Sequence, residues 1–203
     1  METGLRERKK QKTREEIASA AMRLFRERGF DEVTVAEIAR EAEVSEKTVF
    51  NYFPSKEDLI VHRGQELTEA LVEAIRELTP GGSIVTPFRR VTEQLLETIE
   101  NEPVESIVAI PRLVMGSETL RQRLFLGWEQ EASALTPAIA EALNMEPDDL
   151  LASIMARTLS WTHRTIFRAA FSRLLAGEDQ VAVAAALRVE AERAYNMFQR
   201  GFA

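Results

Sequence analysis

The chain has 203 residues, of which 45% are hydrophobic and 29% are charged, and it contains no cysteine. The apolar fraction is sufficient for a sizeable core, and the lack of cysteine excludes disulfides, thiolate metal sites and cysteine nucleophiles. The net charge of −7 argues against a nucleic-acid-binding protein, but the charge is unevenly distributed. Residues 1–63 sum to zero, residues 64–203 carry the whole −7, and every lysine lies at or before Lys56. This asymmetry predicts that any contact with a polyanion involves the N-terminal part.

The N-terminal segment is basic and lacks apolar periodicity. Residues 1–14 hold six basic and two acidic side chains, a net charge of +4. We expect residues 1–12 to form a disordered basic arm that follows the DNA backbone or enters the minor groove, although a solvated tail has the same composition. The segment is not a secretory signal, and no apolar run is long enough to span a membrane. The expected location is therefore the cytoplasm.

Apolar residues recur at helical spacing through the rest of the chain, and strand-like alternation is absent. A capping box at Thr13 predicts the start of the first helix, and Gly29 predicts its end. Two short helices are expected next, at 35–42 and 45–53, and Pro54 ends the second of them. The remaining helices are predicted at roughly 55–79, 86–102, 104–114, 118–144, 147–176 and 179–201. The expected fold class is all-α with about nine helices.

Prolines refine these boundaries. Pro103 and Pro147 fit the first position of a helix, where the missing N–H has no cost. Pro111 and Pro137 fall inside apolar periodic stretches, where we expect them to kink or break the helix.

The helices predicted at 35–42 and 45–53, joined by a tight turn, form a helix-turn-helix unit. The second of them is short enough to enter the major groove of DNA. Its outward side chains include Lys47, Asn51 and Glu46, which suit guanine, adenine and cytosine respectively, and Ser45 and Lys56 suit phosphates. An ordinary three-helix subdomain has similar spacing, so the pattern alone leaves both interpretations open.

Many separated positions across residues 13–60 resemble the N-terminal domain of the TetR family, including Phe25 with Gly29, Val44 with Ser45, and the run from Thr48 to Phe53. The resemblance implies an all-helical dimeric repressor with a helix-turn-helix domain at 13–63 and a ligand-binding and dimerisation domain at 64–203. It places the DNA-contacting residues, with Glu46 added from the outward face of the same helix, at Thr34, Ser45, Glu46, Lys47, Thr48, Asn51, Tyr52 and Lys56.

Two positions depart from the family pattern. Glu43 stands in the turn where glycine is usual, and a left-handed conformation there costs about 1 kcal/mol or more for a non-glycine residue. The turn either avoids that conformation or tolerates the strain. Phe50 stands where tyrosine is common, so one hydroxyl contact to a phosphate is lost.

The resemblance also implies that helices 147–176 and 179–201 pair with their copies in a homodimeric four-helix bundle. The apolar rhythm from Ala184 to Phe202 agrees with this, although an intramolecular core helix has the same rhythm. The effector would be hydrophobic or aromatic, and a loose resemblance points to sensors of acyl-CoA-like ligands. The candidate pocket residues are Phe88, Leu113, Met115, Phe125, Trp128, Met155, Trp161, His163 and Phe167, each of which also suits a core position.

An enzyme is the least favoured class. His62 and His163 lie far apart in the chain without a metal-ligand pattern, and no glycine-rich phosphate loop is present. We expect no catalytic residues, metal or cofactor. The predicted function is a repressor that binds a palindromic operator as a homodimer and is released by a small effector. An activator, or a protein-contact module without ligand control, is the alternative.

Overall fold

The computed structural model describes residues 2–79 and 81–201, and it describes the side chains of all of these residues except 2–7 and 63. Within this range the chain is helical and contains no strand, which confirms the predicted fold class. None of the described helices combines the length and apolar character needed to cross a membrane. The described helices are α1 (Glu2–Arg28), α2 (Val35–Glu41), α3 (Glu46–Tyr52), α4 (Asp58–Arg76), α5 (Val85–Asn101), α6 (Val104–Gly116), α7 (Glu118–Ala142), α8 (Leu150–Leu175) and α9 (Gln180–Gly201).

The chain divides into two compact units. The first contains residues up to 63 together with 112–124, and the second contains 64–111 and the residues from 125 onward. Helices α1, α2 and α3 lie wholly in the first unit, whereas α5, α8 and α9 lie wholly in the second. Helices α4, α6 and α7 contribute residues to both. The functional domain boundaries expected from the sequence stay predictions.

Helix α1 begins at Glu2, so the predicted helix start at Thr13 is wrong. Residues 2–12, expected to be a disordered arm, form the first turns of this helix. The charged side chains of this stretch have high intrinsic helix propensity. Pairs four residues apart add support, because Gln11 donates to Glu15 over 2.9 Å and Lys12 lies 3.7 Å from Glu16. The intrinsic helix propensity of these residues therefore extends α1 on the N-terminal side of the capping box predicted at Thr13.

The end of α1 follows the sequence prediction. Gly29 adopts a left-handed conformation with φ of 84°, and its N–H donates to the carbonyl of Phe25 over 2.9 Å. The ring of Phe30 then packs on that of Phe25, with 5.1 Å between the centroids. Both rings are buried among the apolar residues of the first unit, which include Ile17, Ala21, Ile38, Val49 and Phe53.

The four prolines occupy two kinds of position relative to the helices. Pro103 precedes α6 and accepts from the N–H groups of Ser106 and Ile107, so it lies just outside the helix rather than at its first position. Pro147 also lies outside, because Asp149 caps α8 by accepting from Leu151 N–H over 2.7 Å. An aspartate beside a helix N-terminus supplies an acceptor that proline lacks. Pro111 and Pro137 are contained within α6 and α7.

The core of the second unit is formed mainly where α5 packs on α9 and α8. Ala184, Leu187, Ala191 and Tyr195 are buried there, and the Tyr195 hydroxyl lies 2.7 Å from that of Thr92 on α5. The apolar rhythm of the last helix is therefore used inside the chain, and its interpretation as a dimer contact is wrong for these residues. Phe202, the last position of that rhythm, lies outside the described residues.

Candidate DNA-binding interface and effector region

The predicted recognition helix is α3, and its apolar residues hold it against the first unit. Val49 is buried, as is Phe53 directly after the helix. Ser45 caps the N-terminus, because its Oγ accepts from Thr48 N–H over 3.1 Å. Glu46, Lys47, Phe50 and Asn51 are exposed, whereas Thr48 and Tyr52 are half-buried. The structure thus turns the charged and amide side chains of α3 outward.

The turn before α3 contains one residue, Glu43, in a strained backbone conformation. Glu43 has φ of 54°, which is left-handed, so the residue that replaces the usual glycine tolerates this conformation rather than avoiding it. The N–H of Val44 donates to the carbonyl of Ala39 over 2.9 Å, and that of Glu43 donates to Arg40 over 3.2 Å. These two bonds form a Schellman motif, which satisfies the last carbonyls of α2 and fixes the direction in which the chain leaves the helix.

The start of α2 is fixed by a complete capping box. Thr34 N–H donates to Glu37 Oε2 over 2.8 Å, and Glu37 N–H donates to Thr34 Oγ1 over 3.3 Å. Arg28, at the end of α1, donates to the same carboxylate over 2.7 Å. The hydrogen bond from Arg28, followed by those from Thr34, lowers the pKa of Glu37 to about 2. Thr34 is exposed, but its hydroxyl already has a partner.

Lys56 differs from the other predicted DNA-contacting residues. Its Nζ donates to the carbonyl of Phe30 over 2.9 Å and to that of Val33 over 3.0 Å. The ammonium also lies 4.2 Å from the centroid of the Phe30 ring. Two of its three donors therefore hold the loop between α1 and α2, and Lys56 acts as a structural clamp in this structure.

An open groove lies between α1 and the predicted recognition helix α3. It is lined by Lys10, Gln11 and Arg14 of α1 and by Asn51 and Tyr52 of α3. The sequence prediction assigned no groove here, because it treated residues 1–12 as a disordered arm. The signal was available in the high helix propensity of that charged run. The groove places basic α1 side chains beside a predicted base-reading residue.

The predicted pocket residues separate into different groups. Leu113 and the exposed Met115 belong to the first unit. In the second unit, Phe125, Trp128 and Trp161 form an aromatic cluster, with ring centroids 5.0 to 6.2 Å apart and partial exposure of each ring. Phe88 and Phe167 instead flank His163, at 5.7 and 5.2 Å, in a more buried position. Met155 is a buried core residue.

A buried polar cluster connects these aromatic groups. Glu131 on α7 forms an ion pair with Arg164 on α8, and Thr68 on α4 donates to the same carboxylate oxygen over 3.5 Å. Arg164 lies 5.0 Å from the centroid of the Trp128 ring, and its neighbour His163 lies 3.9 Å from the other oxygen of Glu131. Of this cluster the sequence prediction included only His163. A carboxylate inside the apolar periodicity of α7 was the signal for Glu131.

Burial controls the protonation of this cluster. It raises the pKa of Glu131 above its ordinary value and lowers that of Arg164. Burial, together with the nearby positive charge of Arg164, lowers the pKa of His163 to about 3. The imidazole is therefore neutral at physiological pH.

The outer faces of α8 and α9 expose apolar side chains. On α9 these include Val189 and Met197, and on α8 they include Leu151, Ile154 and Trp161. The described part of α9 thus has one apolar side buried in the core of the second unit, and it exposes further apolar side chains beside charged ones such as Arg193.

Comparison with known proteins connects these features to one family. The sequence profile of bacterial regulatory proteins of the tetR family matches residues 17–62. The transcriptional regulator TcmR of Streptomyces glaucescens is 26% identical over 151 residues, which cover 72% of this chain and 67% of TcmR. Two further curated helix-turn-helix regulators align over only 47 and 84 residues, or 20% and 29% of their own lengths.

Solved structures extend the likeness over almost the whole chain. NalD of Pseudomonas aeruginosa, the secondary repressor of the MexAB-OprM multidrug efflux pump, superposes with a TM-score of 0.57 at 19% identity, covering 91% of this chain and 97% of NalD. FadR of Bacillus subtilis, solved with stearoyl-CoA, superposes with a TM-score of 0.51 at 17% identity, covering 87% of this chain and 96% of FadR. At these identities the likeness shows a shared fold. Residues 17–62 therefore match the DNA-binding domain of the TetR family, and the curated relatives that the chain resembles are transcriptional regulators rather than enzymes.

Proposed function

We propose that this regulator is a repressor that binds a palindromic operator as a homodimer, in the cytoplasm, and is released by a small hydrophobic effector. The observation that carries the proposal is the outward face of α3, where Lys47 and Asn51 are exposed on a helix with a capped start and a buried inner face. Lysine donates to guanine and asparagine pairs with adenine in the major groove. A protein-contact helix would expose mainly apolar side chains instead.

The groove between α1 and α3 adds a phosphate-binding component. Lys10 and Arg14 flank Asn51 there, so basic side chains accompany the base-reading face. Contacts to phosphates position a protein on the duplex and supply most of its salt-dependent affinity. Because residues 2–12 are helical, we propose that this segment follows the backbone rather than entering the minor groove as an extended arm.

The exposed apolar side of α9 supports a homodimer. Ala182, Ala185, Val189 and Met197 lie on one side of the helix and are exposed. Small and apolar side chains allow two helices to approach closely, and a symmetric dimer uses the same patch twice. We propose that α8 and α9 pair with their copies through this side. A dimer is also what a palindromic operator requires, with recognition helices about 34 Å apart.

Helices α4 and α7 each contain residues of both units. An effector bound to the second unit would therefore act on the first unit through these helices. Within the first unit, Arg123 at the start of α7 donates to Asp58 over 2.7 Å. Asp58 in turn exchanges hydrogen bonds with Ser55 at the start of α4, because its N–H donates to Ser55 Oγ and its carboxylate accepts from Ser55 N–H. A shift of α7 on effector binding would therefore reach the start of α4. The effector can change DNA affinity only by binding the two states unequally.

Selection of bound sequences from a random DNA duplex library at moderate salt tests the proposal. We expect a palindromic site to be enriched, and Lys47→Ala and Asn51→Ala to lose or relax that preference. The matched control is Asn101→Ala, because Asn101 is an exposed asparagine at the end of α5 whose side chain donates to the carbonyl of Glu97 in the same helix over 2.7 Å. A folded dimer that enriches no sequence, before and after refolding to remove bound effector, would exclude base reading and favour a protein-contact module.

A further inference from the structure

The buried polar cluster of α7 and α8 is incompletely hydrogen-bonded. Four of its buried atoms make no hydrogen bond of normal geometry, namely Oε1 of Glu131, Nε of Arg164, Oγ of Ser160 and Nδ1 of His163. Glu131, Ser160 and His163 are each at least nine-tenths buried. Native proteins satisfy nearly all buried polar atoms, so a group of four in one place requires an explanation. A purely structural ion pair between helices would gain by satisfying them.

The unsatisfied atoms include both kinds of hydrogen-bonding partner. Glu131 Oε1 is an acceptor, the Nε–H of Arg164 is a donor, and the Ser160 hydroxyl, which lies close enough to the Glu131 carboxylate to lower its pKa, can be either. The distance of 3.9 Å between Glu131 Oε1 and His163 Nε2 is too long for a direct hydrogen bond. A guest group that donates to the carboxylate and accepts from the guanidinium would satisfy both of these atoms.

The charge balance of the cluster selects among guest groups. Glu131 and Arg164 neutralise each other as an ion pair, and the imidazole of His163 is uncharged. An additional ion would have to lose its hydration without a counter-charge, which is strongly unfavourable in a buried site. An uncharged group with one donor and one acceptor avoids this cost.

Aromatic rings surround the cluster on two sides. His163 is flanked by Phe88 and Phe167, and Arg164 covers Trp128, which joins the cluster of Phe125 and Trp161. Rings of this kind pack favourably against a flat aromatic guest in offset or edge-to-face arrangements. All these residues belong to the second unit.

We propose that Glu131, Arg164 and Ser160 form the polar recognition site for the effector, and that the effector is an uncharged hydroxylated aromatic compound. Its hydroxyl group donates to Oε1 of Glu131 and accepts from Nε of Arg164, while its ring packs among the neighbouring aromatic side chains. This inference rests on the proposed ligand control, and it adds the chemical class that the site accepts.

Three probes of similar size and different charge test the proposal on the full chain without DNA. Phenol is neutral, benzoate is anionic and benzylammonium is cationic at neutral pH. Binding is followed through the two tryptophan indole N–H signals in nuclear magnetic resonance spectra, with Trp128→Phe used to assign them. We expect phenol to shift the Trp128 signal in a saturable manner, and the charged probes to bind at least about tenfold more weakly.

The double variant Glu131→Leu/Arg164→Met removes the site and leaves no unpaired buried charge, so it is expected to fold. The matched control is Glu129→Leu/Arg157→Met, which removes an exposed ion pair of 2.8 Å between the same two helices. Phenol affinity should fall at least about tenfold in the first variant and stay unchanged in the control. Ser160→Ala, a smaller change, should weaken phenol binding several-fold and provides the same test if the double variant unfolds.

Three results would overturn the inference: no phenol-dependent shift up to the solubility limit, equal or tighter binding of a charged probe, or unchanged phenol affinity in the variants of the cluster. Operator selection is measured separately. A chain that selects an operator but fails these tests keeps its proposed function and loses only this assignment of effector chemistry.

Discussion

The guanidinium of Arg28 and the carboxylate of Glu37 are joined by a hydrogen bond of 2.7 Å between the end of α1 and the start of α2. Glu37 also closes the capping box with Thr34. One carboxylate therefore completes the cap of α2 and fixes the position of α1 relative to it. Because α2 precedes the predicted recognition helix α3 by only a short turn, this contact helps to set the orientation of α3 within the first unit.

This arrangement predicts a specific acid sensitivity. The pKa of Glu37 falls from an ordinary value of 4.5 to about 2 in the folded chain. A lowered folded-state pKa stabilises the fold above the ordinary value, and this stabilisation is lost as the pH falls from about 4.5 through about 2. Glu37→Gln should therefore be less stable than the wild type at neutral pH, and the difference should shrink in acid.

The measurement is urea unfolding followed by circular dichroism at several pH values. Glu41→Gln is the control, because Glu41 forms an exposed ion pair with Arg23 on the same pair of helices but caps no helix. A stability difference for Glu37→Gln that is independent of pH would contradict the role assigned to this carboxylate.

The strained turn predicts a stabilising substitution. Glu43 adopts φ of 54°, and glycine reaches this conformation without a Cβ penalty. Glu43→Gly should raise the free energy of unfolding by about 1 kcal/mol. Glu41→Gly, two residues earlier inside α2, should lower it by a similar amount because glycine weakens a helix. Equilibrium urea unfolding measures both, and destabilisation by Glu43→Gly would show that another contact of Glu43 outweighs the strain.

The clamp formed by Lys56 predicts that a substitution there affects stability rather than DNA electrostatics. Lys56→Met removes hydrogen bonds to the carbonyls of Phe30 and Val33 and should cost about 1–3 kcal/mol of stability. Because neither bond involves DNA, the salt dependence of operator affinity should keep its slope. Lys10→Ala is the comparison, since a lost phosphate contact reduces that slope by about one unit. A reduced slope for Lys56→Met would instead assign Lys56 to the phosphates, as the sequence predicted.

The exposed side of α9 predicts that a charged substitution there weakens the proposed homodimer. Met197 is 65% exposed, and Met197→Glu places two carboxylates together in the proposed symmetric dimer. The dimer dissociation constant should increase at least about tenfold, as measured by sedimentation equilibrium. Met115→Glu is matched in residue type and in exposure, at 64%, but lies outside α8 and α9. If Met115→Glu weakened the dimer and Met197→Glu did not, the interface would lie elsewhere.

Features that depend on local chemistry could be predicted from the amino-acid sequence alone. The caps at Thr34 and Ser45, the glycine stop at Gly29 and the inward direction of Val49 follow from hydrogen bonds and periodicity within a few residues. These features predicted the helix-turn-helix unit and carry its resemblance to the TetR family. Local signals failed where two of them competed, as at Thr13, where helix propensity prevailed over a capping motif.

Tertiary packing determines which side of a helix has a partner and which distant side chains meet. Periodicity shows that α9 is apolar, but packing against α5 determines that Tyr195 is internal and Met197 is exposed. In the same way, nothing near Glu131 in the sequence identifies Arg164, because their contact depends on the packing of α7 on α8. Lys56 illustrates the same limit, since a lysine suited to a phosphate is instead held by two carbonyls that approach it only in the folded unit.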